Sequence, residues 1–242
     1  MDKSTLYHPV GAGKGTLSEQ VAHQIRDLIA QRELEAGDRL PPMDELTGYL
    51  RVSRTAVREA VKLLDAWGIL RVKHGVGTFV AEPDKDALRV PLQLSAERSD
   101  RAIRDLLQVR EALEPDIAAI AVRNASPETI KAMEEALVRM DLALDDPAIY
   151  IQADLAFHSA LAEATGNELL VILIHPVIDL LQDMMGLAQR TPGAMKRGLT
   201  YHRQLVEHVK AGPDHAEEAR ATMLRHLAQV WEEIEPQLEG EN

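Results

Sequence analysis

Three histidines and one aspartate are spaced so that they could bind a single metal ion. Asp154 and His158 lie four residues apart in the stretch ADLAFHSALAEA, whose strong helix formers and lack of Gly and Pro predict a helix. Residues four apart share one helix face, so the carboxylate and the imidazole would be neighbours. A surface ion pair has the same spacing, and this pair alone leaves both interpretations open.

The other two histidines lie in a predicted helical hairpin. His202 and His226 are each 12 residues from Asp214, within the helix-breaking sequence Gly-Pro-Asp-His at 212–215. Folding the chain back at this point would bring the two imidazoles level on antiparallel helices. One Asp with three His suits zinc, manganese, nickel or iron better than calcium. The spacing therefore predicts a divalent-metal site, with Zn²⁺ as first choice and Mn²⁺, Ni²⁺ and Fe²⁺ as alternatives.

Length and composition indicate a soluble protein with more than one core. The chain has 242 residues, of which 45% are hydrophobic. No apolar run approaches the roughly 20 residues that cross a bilayer, and the first residues lack the apolar region of a secretory signal. The absence of cysteine excludes disulfides and thiolate metal ligands. We expect a cytoplasmic protein that has no membrane partner.

The net charge of −12 is unevenly distributed along the chain. Residues 1–82 contain 11 Lys or Arg and 11 Asp or Glu, so the whole excess of negative charge lies in residues 83–242. A neutral domain can still bind phosphate groups if its basic side chains converge on one face. The overall acidity therefore does not exclude nucleic acid as a partner.

The N-terminal part has the pattern of a winged helix–turn–helix. Apolar periodicity and chain breaks predict three helices and two short strands, at residues 18–32, 43–50, 53–67, 69–73 and 78–80. Ser18 could cap the first helix. In such a unit the N-terminal residues of the third helix enter the major groove. Arg54 and Arg58, one turn apart, could read guanine or bind phosphate; an ordinary exposed amphipathic helix is the alternative.

Two segments carry a family resemblance. LPPMDELTGYLRVSRTAVREAVKLLDAWGIL and VKHGVGTFV resemble the DNA-binding domain of the GntR family of bacterial transcription regulators. The resemblance implies contacts to operator bases, phosphates and the minor groove by Ser53, Arg54, Thr55, Arg58, His74 and Gly75. Asp44 departs from the family pattern, in which many members have Arg at this position. A carboxylate cannot bind a phosphate, so either the operator differs at this point or the contact is absent.

The C-terminal part resembles the all-helical ligand-binding domain, called FCD, of the FadR-like branch of this family. The similar segments are VREALEP, DLAFHSALAEATGN, YHRQLVEHVKAG and ATMLRHL. The resemblance implies that Asp154, His158, His202 and His226 are metal ligands. Arg110, in the first of these segments, could clamp a carboxylate effector next to the metal. Alternatively, it pairs with Glu114 one turn later.

The expected fold is mainly α, with an N-terminal winged helix–turn–helix that carries a small β-hairpin wing and a C-terminal all-α bundle of the FCD type. The predicted parts are a flexible arm, the DNA-binding domain, a linker and a helical domain for metal, effector and dimerisation, at 1–15, 16–82, 83–97 and 98–236. We expect a homodimeric repressor that binds a pseudo-palindromic double-stranded operator and responds to a small carboxylate.

The alternative is an enzyme fused to a DNA-binding module. Catalysis at a metal requires an open coordination position and a general acid or base near the bound water. The sequence shows no acidic residue placed one turn from the ligands in the manner of H-E-x-x-H. This absence favours the regulator.

Overall fold

The computed structural model describes residues 15–31, 34–82, 88–97, 101–185 and 191–239. The chain forms two compact units, with the boundary between Asp84 and Lys85. Except for Gly15, the predicted N-terminal arm lies outside the described residues.

The first unit consists of three helices followed by a two-stranded antiparallel sheet: α1 (Leu17–Gln31), α2 (Met43–Leu50), α3 (Arg54–Ala66), β1 (Leu70–Lys73) and β2 (Gly77–Val80). The predicted winged helix–turn–helix is confirmed, and each predicted element ends within one residue of the observed boundary. Leu70 pairs with Val80 and Lys73 with Gly77, which places residues 74–76 at the tip of the wing.

Two details of this unit differ from the expectation. Thr16, not Ser18, caps α1: its Oγ1 accepts a hydrogen bond from Glu19 N at 3.3 Å, and Glu19 Oε2 accepts one from Thr16 N at 2.7 Å. This reciprocal pair is a capping box. Helical spacing places Trp67 on the same side of the third helix as Val57 and Leu64, yet Trp67 follows the end of α3, is 48% exposed and lies beside the ring of His23.

The second unit is entirely helical in its described residues: α4 (Arg89–Ala96), α5 (Ala102–Asn124), α6 (Pro127–Leu142), α7 (Pro147–Glu163), α8 (Glu168–Met185), α9 (Ala194–Ala211) and α10 (Ala216–Glu239). The predicted C-terminal helical bundle is confirmed. Helix α4 lies in the predicted linker at 83–97, where the sequence pattern did not indicate a helix; residues 83–87 lie outside the described part.

Local sequence determines where the helices that hold the site begin and end. Helix α7 has Pro147 in its first turn, and the Asp146 carboxylate accepts hydrogen bonds from the backbone N–H groups of residues 148 and 149. Helices α9 and α10 form the predicted hairpin. Gly212, with φ 94°, ends α9, and Pro213–His215 forms one 3₁₀ turn before α10. This turn accommodates the helix-breaking sequence Gly-Pro-Asp-His.

Helices α5, α7, α9 and α10 surround the interior of this bundle, with α5 packed along α10 and α6 along α7. Phe157, Ile117 and Met223 are among the buried residues of its hydrophobic core. Among the residues described, no helix is long and apolar enough to cross a membrane. Several polar and charged side chains are buried in the same bundle.

Candidate metal centre and DNA-binding surface

Four ligand-type side chains meet inside the second unit. Asp154 and His158 come from α7, His202 from α9 and His226 from α10. Each offers one ligand atom, and these atoms lie within 4.8 Å of one another. All four residues are at most 2% exposed. The structure thus brings together the residues that the sequence predicted as metal ligands, including His226, which follows the turn at 212–215.

The distances between the ligand atoms suit a single ion. His158 Nε2 lies 3.3 Å from His202 Nε2 and 3.8 Å from Asp154 Oδ2, and His202 Nε2 lies 3.5 Å from Asp154 Oδ1. A metal with bonds of about 2.0–2.2 Å holds its ligand atoms roughly 3 to 4 Å apart. A divalent cation therefore needs only small side-chain adjustments to bind all four residues.

Several polar atoms of this cluster are buried without a hydrogen-bond partner. They are Asp154 Oδ2, His202 Nδ1 and both ring nitrogens of His226. An unpaired buried polar atom costs about 1–3 kcal/mol of stability. A cation bound to Asp154 and to one nitrogen of His226 would remove part of that cost. The donor set and its unpaired atoms therefore fit a metal.

Burial favours the neutral, metal-binding form of two of the histidines but disfavours the ionised form of the aspartate. Burial lowers the pKa of His202 and of His226 well below the usual value, which keeps both rings neutral with a free lone pair. Burial raises the pKa of Asp154, although electrostatic interactions with His158 and Arg110 partly lower it. A bound divalent cation would favour the ionised carboxylate.

Arg110, on α5, lies beside the cluster and is 1% exposed. Its Nε donates to Glu114 Oε1 at 2.5 Å, and its Nη2 donates to Oε2 at 3.2 Å. The pairing that the sequence left open as an alternative is therefore present. Arg110 Nη2 also lies 3.0 Å from Nε2 and 3.4 Å from Nδ1 of His158, so it is over the ring face and not in line with one nitrogen.

The sequence indicated Glu114 only as a possible partner of Arg110, and it did not single out Gly198. Glu114 Oε2 lies 2.8 Å from His158 Nδ1. Gly198 lies one turn before His202, and a Cβ there would come 3.1 Å from the Tyr150 hydroxyl and 3.9 Å from His226 Cε1. Glycine weakens a helix interior by roughly 0.5–1 kcal/mol, and here it allows this close approach. A glycine at i−4 from a ligand histidine was the available signal.

The expected DNA-contacting residues lie at the start of α3 and at the wing tip. Arg54, Thr55 and Arg58 are exposed on one side of α3. The Ser53 side chain accepts a hydrogen bond from Ala56 N at 3.2 Å and thus caps the helix. Asp44, on α2, places Oδ1 3.5 Å from Arg54 Nη1. The Asp44 carboxylate therefore lies next to Arg54, the first arginine of the helix that is expected to contact DNA.

The wing tip is held by an arginine that sequence reasoning missed. Arg39 Nη2 donates to the carbonyl of Val76 at 2.6 Å. A Cβ on Gly77, whose φ is 151°, would lie 2.7 Å from Arg39 Nε, so glycine makes room for this side chain. His74 and Gly75 are exposed at the tip, as a role in DNA binding requires. The β-bridge between Arg39 and Phe79 is only visible in the fold.

Profiles of known families match both units. The profile described as "Bacterial regulatory proteins, gntR family" matches residues 17–80, and that of the FCD domain matches residues 105–229. The chain belongs to the GntR family. The family resemblance seen in the sequence is therefore confirmed, and this GntR-family chain carries an FCD domain. The helix–turn–helix and the ligand cluster lie within the two matched regions.

Full-length relatives support the assignment. The HTH-type transcriptional regulator LutR of Bacillus subtilis (strain 168) is 32% identical over 208 residues, which cover 84% of this chain and 94% of the relative. The HTH-type transcriptional repressor NanR of Salmonella schwarzengrund (strain CVM19633) is 29% identical, with coverage of 89% and 84%. A GntR structure from Streptococcus agalactiae is 28% identical, with a TM-score of 0.67 and coverage of 88% and 98%.

A third relative, from Escherichia coli (strain K12), is provisionally named an L-lactate dehydrogenase operon regulatory protein. It is 32% identical over 226 residues, with coverage of 88% of this chain and 84% of the relative. These relatives are regulators of transcription and not enzymes. This GntR-family chain is accordingly a transcription regulator, and the enzyme alternative is excluded.

Proposed function

We propose that this regulator is a cytoplasmic homodimeric repressor. It binds a pseudo-palindromic operator and responds to a small carboxylate held next to a divalent metal, with Zn²⁺ as the first choice. The observation that carries this proposal is the cluster of one Asp and three His, each at most 2% exposed, with Arg110 against it. One relative is named a repressor, which supports repression and not activation.

The metal would serve as an anchor for an anion. Asp154, His158, His202 and His226 would hold it, and an octahedral ion would keep two positions for other ligands. A carboxylate oxygen suits such positions. Arg110 would supply a second attachment point. Its Nε–Nη2 edge is occupied by Glu114, so an effector carboxylate would use the Nη1–Nη2 edge.

The enclosure of the site and the name of one relative indicate which class of carboxylate to test. The cluster and Arg110 are fully enclosed by the bundle, which favours a small acid over a long-chain one. The provisional name of the Escherichia coli relative refers to an L-lactate dehydrogenase operon. We therefore choose a 2-hydroxy acid as the first probe, since its hydroxyl and carboxylate together could occupy two positions on the metal.

The DNA-binding surface would be the start of α3 together with the wing. Ser53, Arg54, Thr55 and Arg58 would contact the major groove and its backbone, and His74 with Gly75 would reach the minor groove. One such module reads only a few base pairs, so two copies related by two-fold symmetry would be needed for a specific site. A dimer bound over a promoter would block polymerase.

Selection from a pool of random duplexes, followed by gel-shift titration with Zn²⁺-loaded protein, tests this proposal. We expect a two-fold symmetric sequence to emerge and L-lactate to release the protein from it. L-lactamide, which has the same shape without the negative charge, is the matched control and should not release it. Release by the amide, or no effect of any small acid, would contradict the carboxylate assignment.

A further inference from the structure

Glu114 lies directly behind the candidate metal ligands, on α5. Its side chain is 2% exposed, with Oε2 2.8 Å from His158 Nδ1 and both oxygens bonded to Arg110. It is not one of the four clustered ligands. A buried carboxylate is costly unless it is paired and hydrogen-bonded, so its position requires a reason beyond packing.

The contact with His158 determines which ring nitrogen carries the hydrogen. An ionised carboxylate only accepts hydrogen bonds, so His158 must donate from Nδ1. In a neutral imidazole the other nitrogen, Nε2, then has the free lone pair. Nε2 is the atom that lies 3.3 Å from His202 Nε2 and 3.8 Å from Asp154 Oδ2, inside the cluster. Glu114 therefore selects the form of His158 that can bind a metal there.

Arg110 keeps Glu114 in its ionised form. Arg110 donates a hydrogen bond to each oxygen of Glu114, and Oε2 also faces His158 Nδ1, so both oxygens act as acceptors. The two hydrogen bonds from Arg110 also fix the plane of the carboxylate, since they reach both of its oxygens. The carboxylate is thus held from one side by Arg110 and directed at His158 on the other.

We propose that Glu114 is a positioning residue of the metal centre, which holds His158 with hydrogen on Nδ1 and presents its Nε2 to the ion. This inference rests on the proposed metal site but concerns a residue outside the ligand set. Partners of this kind orient ligand imidazoles, and their loss commonly lowers metal affinity by 10–100-fold.

The test compares Glu114→Gln with Glu233→Gln. Glu233, on α10, is also largely buried, at 8% exposure, and accepts from Nε and Nη2 of Arg197 at 3.1 Å and 2.5 Å. It is not in the ligand cluster. Each variant therefore removes the charge of a buried carboxylate that is paired with an arginine. Only the first of them disturbs the hydrogen bond to a ligand histidine.

Two measurements decide the proposal. Zn²⁺ affinity, measured by chelator competition, should fall about 10–100-fold in Glu114→Gln and stay at the wild-type value in Glu233→Gln. Long-range ¹H–¹⁵N NMR of the metal-free protein should show hydrogen on Nδ1 of His158 in the wild type. Unchanged affinity in Glu114→Gln, an equal loss in both variants, or hydrogen on Nε2 in the wild type would each overturn the proposal.

The NMR measurement needs neither a variant nor a bound metal. If Glu114→Gln failed to fold, the wild-type spectrum would still decide the tautomer of His158. If the wild type bound no Zn²⁺, the proposed metal function would fail on its own. The tautomer would then show separately whether Glu114 positions His158.

Discussion

At the scale of single residues, the four candidate metal ligands are polar groups in an apolar environment. Four polar side chains are buried in a helical core, and some of their atoms lack hydrogen-bond partners. Without a cation, such atoms reduce stability. A metal that binds only the folded chain should therefore raise stability by mass action. The change in melting temperature on adding metal therefore reports binding of the metal to the folded protein.

The first prediction concerns removal of one ligand. In the wild type, Zn²⁺ at about 100 times its Kd should stabilise the fold by about 2.7 kcal/mol. Asp154→Ala and His226→Ala should each abolish this stabilisation, because each deletes one of the four ligand atoms. Thermal unfolding with and without Zn²⁺ measures it, in protein purified without a histidine tag.

His208→Ala is the matched control for these variants. His208 is on α9, like His202, but its Nε2 lies 3.2 Å from Thr222 Oγ1 and it is not in the cluster. The Zn²⁺-induced rise in Tm should survive in this variant. Survival of the rise in Asp154→Ala and His226→Ala would show that the metal binds elsewhere.

The second prediction concerns pH. Burial raises the pKa of Asp154 and lowers those of His202 and His226, so in the metal-free protein the aspartate retains its proton to higher pH than usual while the two rings stay neutral. Zn²⁺ binds the carboxylate form and must displace that proton. Affinity should therefore fall as the pH is lowered toward the raised pKa of Asp154.

Zn²⁺ titrations at a series of decreasing pH values measure this slope. Asp154→Asn keeps the shape of the side chain but cannot titrate, so its affinity should be lower overall and depend less on pH. An identical pH slope in the variant and the wild type would assign the proton to another group.

At the scale of elements, the start of α3 carries the proposed sequence readout. Arg54 and Arg58 are exposed one turn apart behind the Ser53 cap. If they make bidentate contacts to guanine, Arg54→Ala and Arg58→Ala should each lose about 1–3 kcal/mol of sequence discrimination. Lys62→Ala removes the same charge further along α3 and should weaken all sequences alike. Gel shifts at fixed salt separate the two effects, and unchanged operator affinity would refute the assignment.

Asp44 gives a second prediction at this scale. Its carboxylate lies 3.5 Å from Arg54 Nη1, and both side chains are exposed. Asp44→Asn removes a negative charge near the DNA and frees Arg54 for phosphate. We expect tighter binding to all sequences and a salt slope steeper by about 1. Weaker binding instead would indicate that the Asp44 carboxylate itself accepts a hydrogen bond from a base, such as cytosine N4.

At the scale of the whole molecule, regulation requires a coupling between effector and DNA. The proposed metal centre joins α5, α7, α9 and α10, so an effector bound there would contact several helices at once. Such binding alters DNA affinity only if the effector prefers one arrangement of the dimer. By linkage, DNA must then weaken effector binding by the same factor as the effector weakens DNA binding.

The fifth prediction concerns stoichiometry and this reciprocity. Analytical ultracentrifugation should give twice the mass of one chain, and each selected duplex should bind two chains. Calorimetry with L-lactate should show weaker binding to the DNA-bound protein than to the free protein. Equal affinities would show that the acid does not regulate DNA binding, whereas one chain per duplex would refute the homodimer.

The sequence alone determined much of this protein because its signals are local. The periodicity of α1 and α3, the chain breaks between the elements and the glycine-rich wing predict the boundaries of the first unit to within one residue. The i,i+4 spacing of Asp154 and His158, together with the hairpin about Asp214, predicts four clustered ligands. These features depend on helix geometry and chain breaks, which a short segment specifies by itself.

Only the tertiary structure decided the contacts between distant segments. Glu114 meets His158 across 44 positions, Arg39 reaches Val76 across 37, and Asp44 lies opposite Arg54 from another helix. No short-range pattern predicts such pairs, because they depend on how the helices pack and on which charges burial forces together. The same reason explains Arg110: both a free clamp and a partner of Glu114 fitted its spacing, and packing placed it against Glu114.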